Sequence, residues 1–322
     1  MQAILAVTVP FFALVLCGFL AARQRVLPEA AIPGLNAFVL YFALPCMLFR
    51  FGTNTPLAQL LNPVVLVVYL TSALLIVSFT IAVTLSAAVQ MKDAAFGALV
   101  AAFPNTGFMG VPLLVALLGA AAAGPVISSV LADLFVTSSL CIALAQAHEA
   151  RGAGARMALI KALRGTLSNP LPWAIALGAA SSAVGIRLAG PPDVIVRMLA
   201  DAATPVALFT IGAVLWRGGQ HAHTRTPPAL VLPVVAIKLF VHPTLVFALC
   251  ATARHLGGAL SVFEVSVLTL AAALPSASNV SLLAERYGAD NGRIARIILG
   301  STAMAFVSFS LLAWAFGVSS AR

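Results

Sequence analysis

"AAFPNTGFMGVPLL" occupies Ala101 to Leu114, inside a run otherwise apolar enough to cross a membrane. Pro104 has no N–H, and its ring crowds the carbonyl of Val100 four residues back, so a helix cannot pass through it undisturbed. Asn105, Thr106 and Gly107 follow, where hydrocarbon would favour leucine or valine. A break of this kind frees backbone groups that lipid cannot satisfy. It survives only against protein or a water-filled cavity.

The rest of the chain has a membrane composition. Of its 322 residues, 61% are hydrophobic and only 8% charged, whereas a soluble domain carries about 25% charged residues. Ten apolar runs of spanning length can be marked off: Ala3–Ala22, Ile32–Phe51, Val64–Val89, Ala94–Leu118, Val126–Ala147, Thr166–Val184, Val194–Trp216, Ala229–Ala251, Val262–Ala284 and Ile294–Phe316. The first has no positive residue before it, and Arg23 and Arg25 follow it, so it reads as a mature helix and not as a signal peptide. One sizeable polar connection, His148 to Arg164, divides the runs five and five. Residues 1–148 and 166–322 are thus two halves joined by 149–165.

The charge distribution orients the chain. Of the 18 Lys and Arg, only Arg50, Arg187, Arg197, Arg254 and Arg322 fall on one side of the ten-span arrangement, and Lys238 falls inside a span. The remainder share the other side, which the positive-inside rule assigns to the cytoplasm, with both termini outside. This topology accounts for the net charge of +9 without nucleic acid, since the basic residues sit at helix ends. Cys17, Cys46, Cys141 and Cys250 are scattered singly through apolar runs with no CxxC spacing. His221 and His223 have no Cys or carboxylate beside them, so no metal site is expected. A GxxxxGK[ST] phosphate loop is absent too, which argues against ATP-driven pumping. No cofactor is expected.

The halves echo one another. "ALPCMLF" (Ala43–Phe49) in the second run is answered by "ATPVALF" (Ala203–Phe209) in the seventh, aligning Pro45 with Pro205. "AAFPNTG" in the fourth is answered by "AALPSASN" (Ala272–Asn279) in the ninth, aligning Pro104 with Pro275. With five spans per half, the second half enters the membrane upside down, the pattern of an inverted-repeat secondary transporter. The expected fold is an all-α polytopic membrane protein of ten helices in two inverted five-helix repeats. After each break come small polar residues: Asn105, Thr106 and Gly107 in one helix, Ser276, Ser278 and Asn279 in the other. If the broken helices cross, their restarted N-termini and orphan N–H groups would offer positive potential to an anion near the midplane. Asparagine is also a good N-cap for a restarting helix.

"FPNTGFMGVPLL", "ALPSASNVSLLAERYGAD" and "SNPLPWAIALG" (Ser168–Gly178) resemble the auxin efflux carrier family, whose bacterial members are often described as malonate or malate transporters. The resemblance covers essentially the whole chain. It implies that helices four and nine cross at their prolines, that helices one, two, six and seven form a scaffold, and that helices three to five and eight to ten form a mobile unit working as an elevator. It further implies that Asn105 and Asn279 contact substrate. The long cytoplasmic loop of the plant members is missing, so regulation through it does not carry over. The expected cargo is a small organic anion, a dicarboxylate or an auxin-like indole acid, carried across a bacterial-type inner membrane. Coupling to H+ or Na+ and assembly as a homodimer stay open at this point.

Among the other polar residues, Lys238 is the most expensive in a bilayer. Asp133 in the fifth run is its candidate partner, as a salt bridge or as a titrating acid beside a substrate-anion anchor. His242 lies one turn beyond Lys238. Arg197 and Asp201 share a helix face and are expected to pair locally. Ser276, His242 and Asp133 could be imagined as a hydrolytic triad, but they lie on three helices and no GxSxG motif supports an intramembrane enzyme. A sodium- or proton-coupled symporter or antiporter of similar fold is the alternative within transport. The crossover carries amides and hydroxyls where an ion exchanger would want carboxylates.

Overall fold

The computed structural model describes residues 1–55, 62–147, 167–220 and 226–318. The expectations placed on His148 to Arg164, on His221 and His223 and on the extreme C-terminus lie outside the described residues. Everything regular among the described residues is helical apart from one isolated bridge, Pro104 against Ser276. In chain order the helices are α1 (Gln2–Arg23), α2 (Glu29–Asn54), α3 (Pro63–Thr84), α4 (Met91–Ala102), α5 (Thr106–Leu118), α6 (Ala120–Gln146), α7 (Pro170–Ala183), α8 (Pro191–Gln220), α9 (Pro228–His255), α10 (Val262–Ala272), α11 (Val280–Arg286) and α12 (Asn291–Ala315).

Seven of these, α1, α2, α3, α6, α8, α9 and α12, are long and apolar enough to cross a membrane. The expectation of ten such helices is corrected accordingly. The fourth and ninth apolar runs are each cut in two by their prolines, giving α4 with α5 and α10 with α11. The sixth is represented by α7, whose 14 residues start at Pro170 behind an Asn169 cap. The chain is an all-α polytopic membrane protein. The helix α1 buries a narrow stripe, Ile4, Thr8, Val15, Gly18 and Ala22, while Leu5, Val9, Leu16 and Leu20 stay exposed; α4 is buried from Ala94 to Ala102.

Glycine sets the closest helix contacts. In α1 packed on α8, a Cβ on Gly18 would run into the Phe209 carbonyl, and one on Gly212 into the Val15 carbonyl and Phe19 nitrogen. In α2 packed on α7, a Cβ on Gly178 would run into the Phe49 carbonyl, and one on Gly52 would lie 2.8 Å from the Ile175 carbonyl and 3.1 Å from the Ala179 nitrogen. Gly18 and Gly178, Gly52 and Gly212, Val15 and Ile175, Phe49 and Phe209, and Pro45 and Pro205 are all separated by one constant spacing along the chain. The two packings are therefore the same contact made twice, with the halves exchanged. The first helix of each half lies on the second helix of the other, which is consistent with an inverted repeat. Small residues at such crossings let backbones approach and gain dispersion contacts that lipid cannot offer.

A candidate substrate site at the helix crossover

The prolines end α4 and α10, and the two breaks satisfy each other. The Asn105 N–H donates to the Pro275 carbonyl at 2.8 Å, and the Ala277 N–H donates to the Phe103 carbonyl at 3.0 Å. Two short extended segments thus lie antiparallel inside a helical protein. Val100, the carbonyl that Pro104 cannot serve, accepts Ser276 Oγ at 2.7 Å. Ala271, the carbonyl that Pro275 cannot serve, accepts the Leu274 N–H at 3.3 Å. The Ser276 N–H is taken by Ser301 Oγ of α12 at 3.2 Å. This is the accounting that a buried, non-helical backbone requires. Ser276 is in this way a structural residue of the break.

Neither asparagine acts as the expected helix cap. Asn105 and Asn279 stand at the N-cap positions of the restarting helices and make no side-chain cap hydrogen bond. The Asn105 carbonyl accepts the Met109 and Gly110 N–H groups at 3.1 and 2.9 Å. Among the described residues both side-chain amides are uncommitted. Thr106, Asn105 and Ser278 are buried; Gly107 and Asn279 are half-exposed, and a Cβ on Gly107 would meet nothing within 4 Å.

A cavity of about 780 Å³ opens between α2, α8, α11 and the starts of α4 and α12, and none of Asn105, Thr106, Gly107, Ser276, Ser278 or Asn279 lines it. Asn36 and Leu40 of α2 and Arg217 of α8 form one wall; Ser281 of α11, with Asp93 and Asp290 at the starts of α4 and α12, forms the other. The wall on α11 begins two residues past Asn279. Asp93, Arg217 and Asp290 stand at the helix ends that share a side with Lys92, Arg286 and Arg296, the basic side of the chain.

Several candidate residues sit in wide, π-type turns: Thr106–Gly110, Asp133–Thr137 and Ile237–Val241, with a fourth at Val39–Ala43. Three of these turns have a proline just beyond them, Pro45, Pro112 or Pro243, whose ring crowds the carbonyl four residues back and widens the turn. Asp133 is fully buried and accepts Tyr69 Oη at 2.8 Å and Thr137 Oγ1 at 3.1 Å. Lys238 is fully buried too, and donates to the Ala272 carbonyl. Its amine does not run out along its stem to the protein surface, and no salt bridge joins Lys238 to Asp133. The ion pairs present elsewhere include Arg197 with Asp193 at 3.5 Å, so Arg197 turns back one helical turn and not forward to Asp201. Asp193 is nearer the helix start, where a carboxylate is favoured. Pro45 and Pro205 lie in α2 and α8, away from the exchange of backbone bonds.

Two participants were not singled out from sequence. Tyr69 has one apolar face and one phenol, and nothing in "LVVYLTS" marks it as a partner for Asp133. Arg293 reads as a loop cation but is 1% exposed, donating Nε to Leu230 O at 3.0 Å and a terminal N–H to Asp93 O at 2.9 Å. The capping signal "AD-NG" before it places Arg293 in the first turn of α12 and so could have flagged it.

Comparison with known proteins accords with this architecture. The sequence model of a family described as membrane transport protein matches residues 3–313. A putative malonate transporter of Rhizobium meliloti (strain 1021) is 28% identical over 305 residues, covering 94% of this chain and 92% of that protein. An uncharacterized transporter, YfdV, of Escherichia coli (strain K12) is 25% identical over 283 residues, covering 86% of each chain.

Proposed function

The chain belongs to the membrane transport protein family, whose bacterial relatives here include the putative malonate transporter, and from that premise we propose that it carries a small organic anion across a bacterial inner membrane by alternating access at the crossover. The relatives it resembles are described as transporters, and Ser276, the nucleophile of the imagined triad, donates its hydroxyl to Val100.

The observation that carries this reading is the pair of uncommitted amides, Asn105 and Asn279, held at a broken-helix crossing. The amide donors of Asn105 and Asn279 suit a carboxylate. A short dicarboxylate such as malonate is the first substrate to try, with indole acids as the alternative. In this proposal ten segments cross the membrane, α4 with α5 and α10 with α11 each counting as one broken span. The α1, α2, α7 and α8 layer is the static scaffold, the remaining helices move as an elevator, and both termini face outward.

Two experiments test it. Purified protein in proteoliposomes preloaded with unlabelled malonate should exchange it for labelled malonate. Absence of exchange with every short dicarboxylate and indole acid would remove the organic-anion assignment. For the topology, native cysteines are replaced and single cysteines introduced at Ser86 and Ala121. If α4 and α5 together cross the membrane, Ser86→Cys is labelled from the cytoplasm and Ala121→Cys from outside. Labelling of both from one side would refute the broken span.

A further inference from the structure

A proline break abandons a second carbonyl besides its own, because the residue after the proline also leaves the helical ladder. Asn105 would have donated to Ala101 and bonds Pro275 instead; Ser276 would have donated to Ala272 and bonds Ser301 instead. Ala101 and Ala272 are equivalent positions, separated by the same spacing as Pro104 and Pro275. Both carbonyls point out of the C-terminal ends of half-helices, where partial negative charge accumulates. Both are served from α9. Lys238 Nζ donates to Ala272 O at 2.5 Å. His242, one turn further on, has Nδ1 3.4 Å from Lys238 Nζ, and its ring lies against the Ala101 carbonyl.

With Lys238 as an ammonium, which has three donors and no acceptor, His242 Nδ1 accepts, and the proton of a neutral ring resides on Nε2. Nε2 is buried and makes no hydrogen bond of ordinary distance and angle; the Ala101 carbonyl is the backbone acceptor that acts on the ring. The carboxylate that could have claimed Lys238 is committed elsewhere, to Tyr69 and Thr137. We propose that Lys238 and His242 are a positioning relay: one ammonium holds the carbonyl ends of both broken helices, at Ala272 directly and at Ala101 through the imidazole of His242. The crossover then keeps its two side-chain amides for an anion while its carbonyl ends are closed from behind. The relay deepens the transport reading and rests on it only where activity is the readout.

The test compares two replacements of His242. His242→Gln keeps an acceptor for Lys238 and a donor for Ala101; His242→Phe keeps bulk and loses both. In the full-length protein in detergent, amide hydrogen exchange is followed in peptides covering the two breaks, and malonate exchange is measured in proteoliposomes. His242→Phe should raise exchange in the Ala101–Met109 segment at least tenfold and leave the Ala272–Val280 segment within twofold, with transport falling at least tenfold. His242→Gln should stay within about threefold of the unmodified protein in both readouts. Lys238→Met should raise exchange in both segments, and adding His242→Phe to it should cost nothing further, because the ring acts only through the ammonium. The relay is wrong if the Gln and Phe variants behave alike, or if the double variant shows the product of the single effects. Should Lys238→Met fail to accumulate, the two His242 variants decide alone. If the unmodified protein moves no organic acid, the transport reading fails while the hydrogen-exchange arm still decides the relay.

Discussion

The glycine contacts of α1 with α8 and α2 with α7, and the proline crossing of α4–α5 with α10–α11, repeat across the two halves of one chain, yet they bring helices together by opposite means. At the glycine contacts the helices stay intact, every backbone bond remains internal, and carbonyls of one helix touch the other where a side chain would stand. At the crossing the helices are cut, and their backbone groups bond each other and side chains. The first kind of contact is specified by volume and has nothing left over for a ligand. The second is specified by hydrogen-bond count and leaves two amides and open space beside Gly107. The difference indicates where a bilayer protein keeps rigidity and where it keeps chemistry.

The sharpest way to break this contrast is Gly178→Val. Its new side chain meets the Phe49 carbonyl and not a flexible side-chain end, so neither backbone can yield locally. Overpacking costs about 1–3 kcal/mol where neighbours can shift and more where they cannot, so we expect the yield of folded protein to collapse, read by size-exclusion chromatography. Near-normal yield and melting temperature would mean that the two helices slide apart freely. Pro104→Ala ranks next and inverts the phenotype. The chain regains an N–H for Val100 and can continue α4 through the break, so transport should fall at least tenfold in protein that still folds. Full activity would show that the break is an architectural kink.

Asn105→Ala and Asn279→Ala keep both prolines and remove one amide each. A hydrogen bond to a charged group contributes about 1.5–3 kcal/mol, so malonate affinity should weaken roughly tenfold to a hundredfold with the melting temperature of the ligand-free protein unchanged. Unaltered affinity in both would detach the amides from recognition. The smallest effect is reserved for Gly219→Ala. It lies on α8 with Gly212, two turns along, but its Cβ meets nothing within 4 Å. A compatible Gly→Ala change stabilises by about 0.4–1 kcal/mol, so the variant should melt at or slightly above the unmodified protein. Marked destabilisation would show that the close approach of α8 extends beyond Gly212.

The two regions were not equally legible. The crossing could be read because proline and small polar residues are improbable in a membrane span, and because "AAFPNTG" and "AALPSASN" repeat the improbability at matching places. The glycine contacts passed unnoticed, since Gly18, Gly52, Gly178 and Gly212 are ordinary residues of apolar helices. Only their common spacing, seen once the partners are known, gives them away. The cap role expected of Asn105 and Asn279 followed residue preference; the backbone chose otherwise, because the opposite break already supplies the partners.

Sequence alone determined the solvent and the plan: apolar runs with charges gathered at their ends require a bilayer, and two proline breaks in echo require something other than lipid around them. These are local consequences of side-chain solvation and of a missing N–H. Tertiary structure decided which group satisfies which. That Lys238 bonds Ala272 and leaves Asp133 to Tyr69 and Thr137 depends on distances between helices far apart in the chain. A buried ammonium will take any acceptor within reach, a carbonyl as well as a carboxylate, and residue type does not say which one the fold brings near.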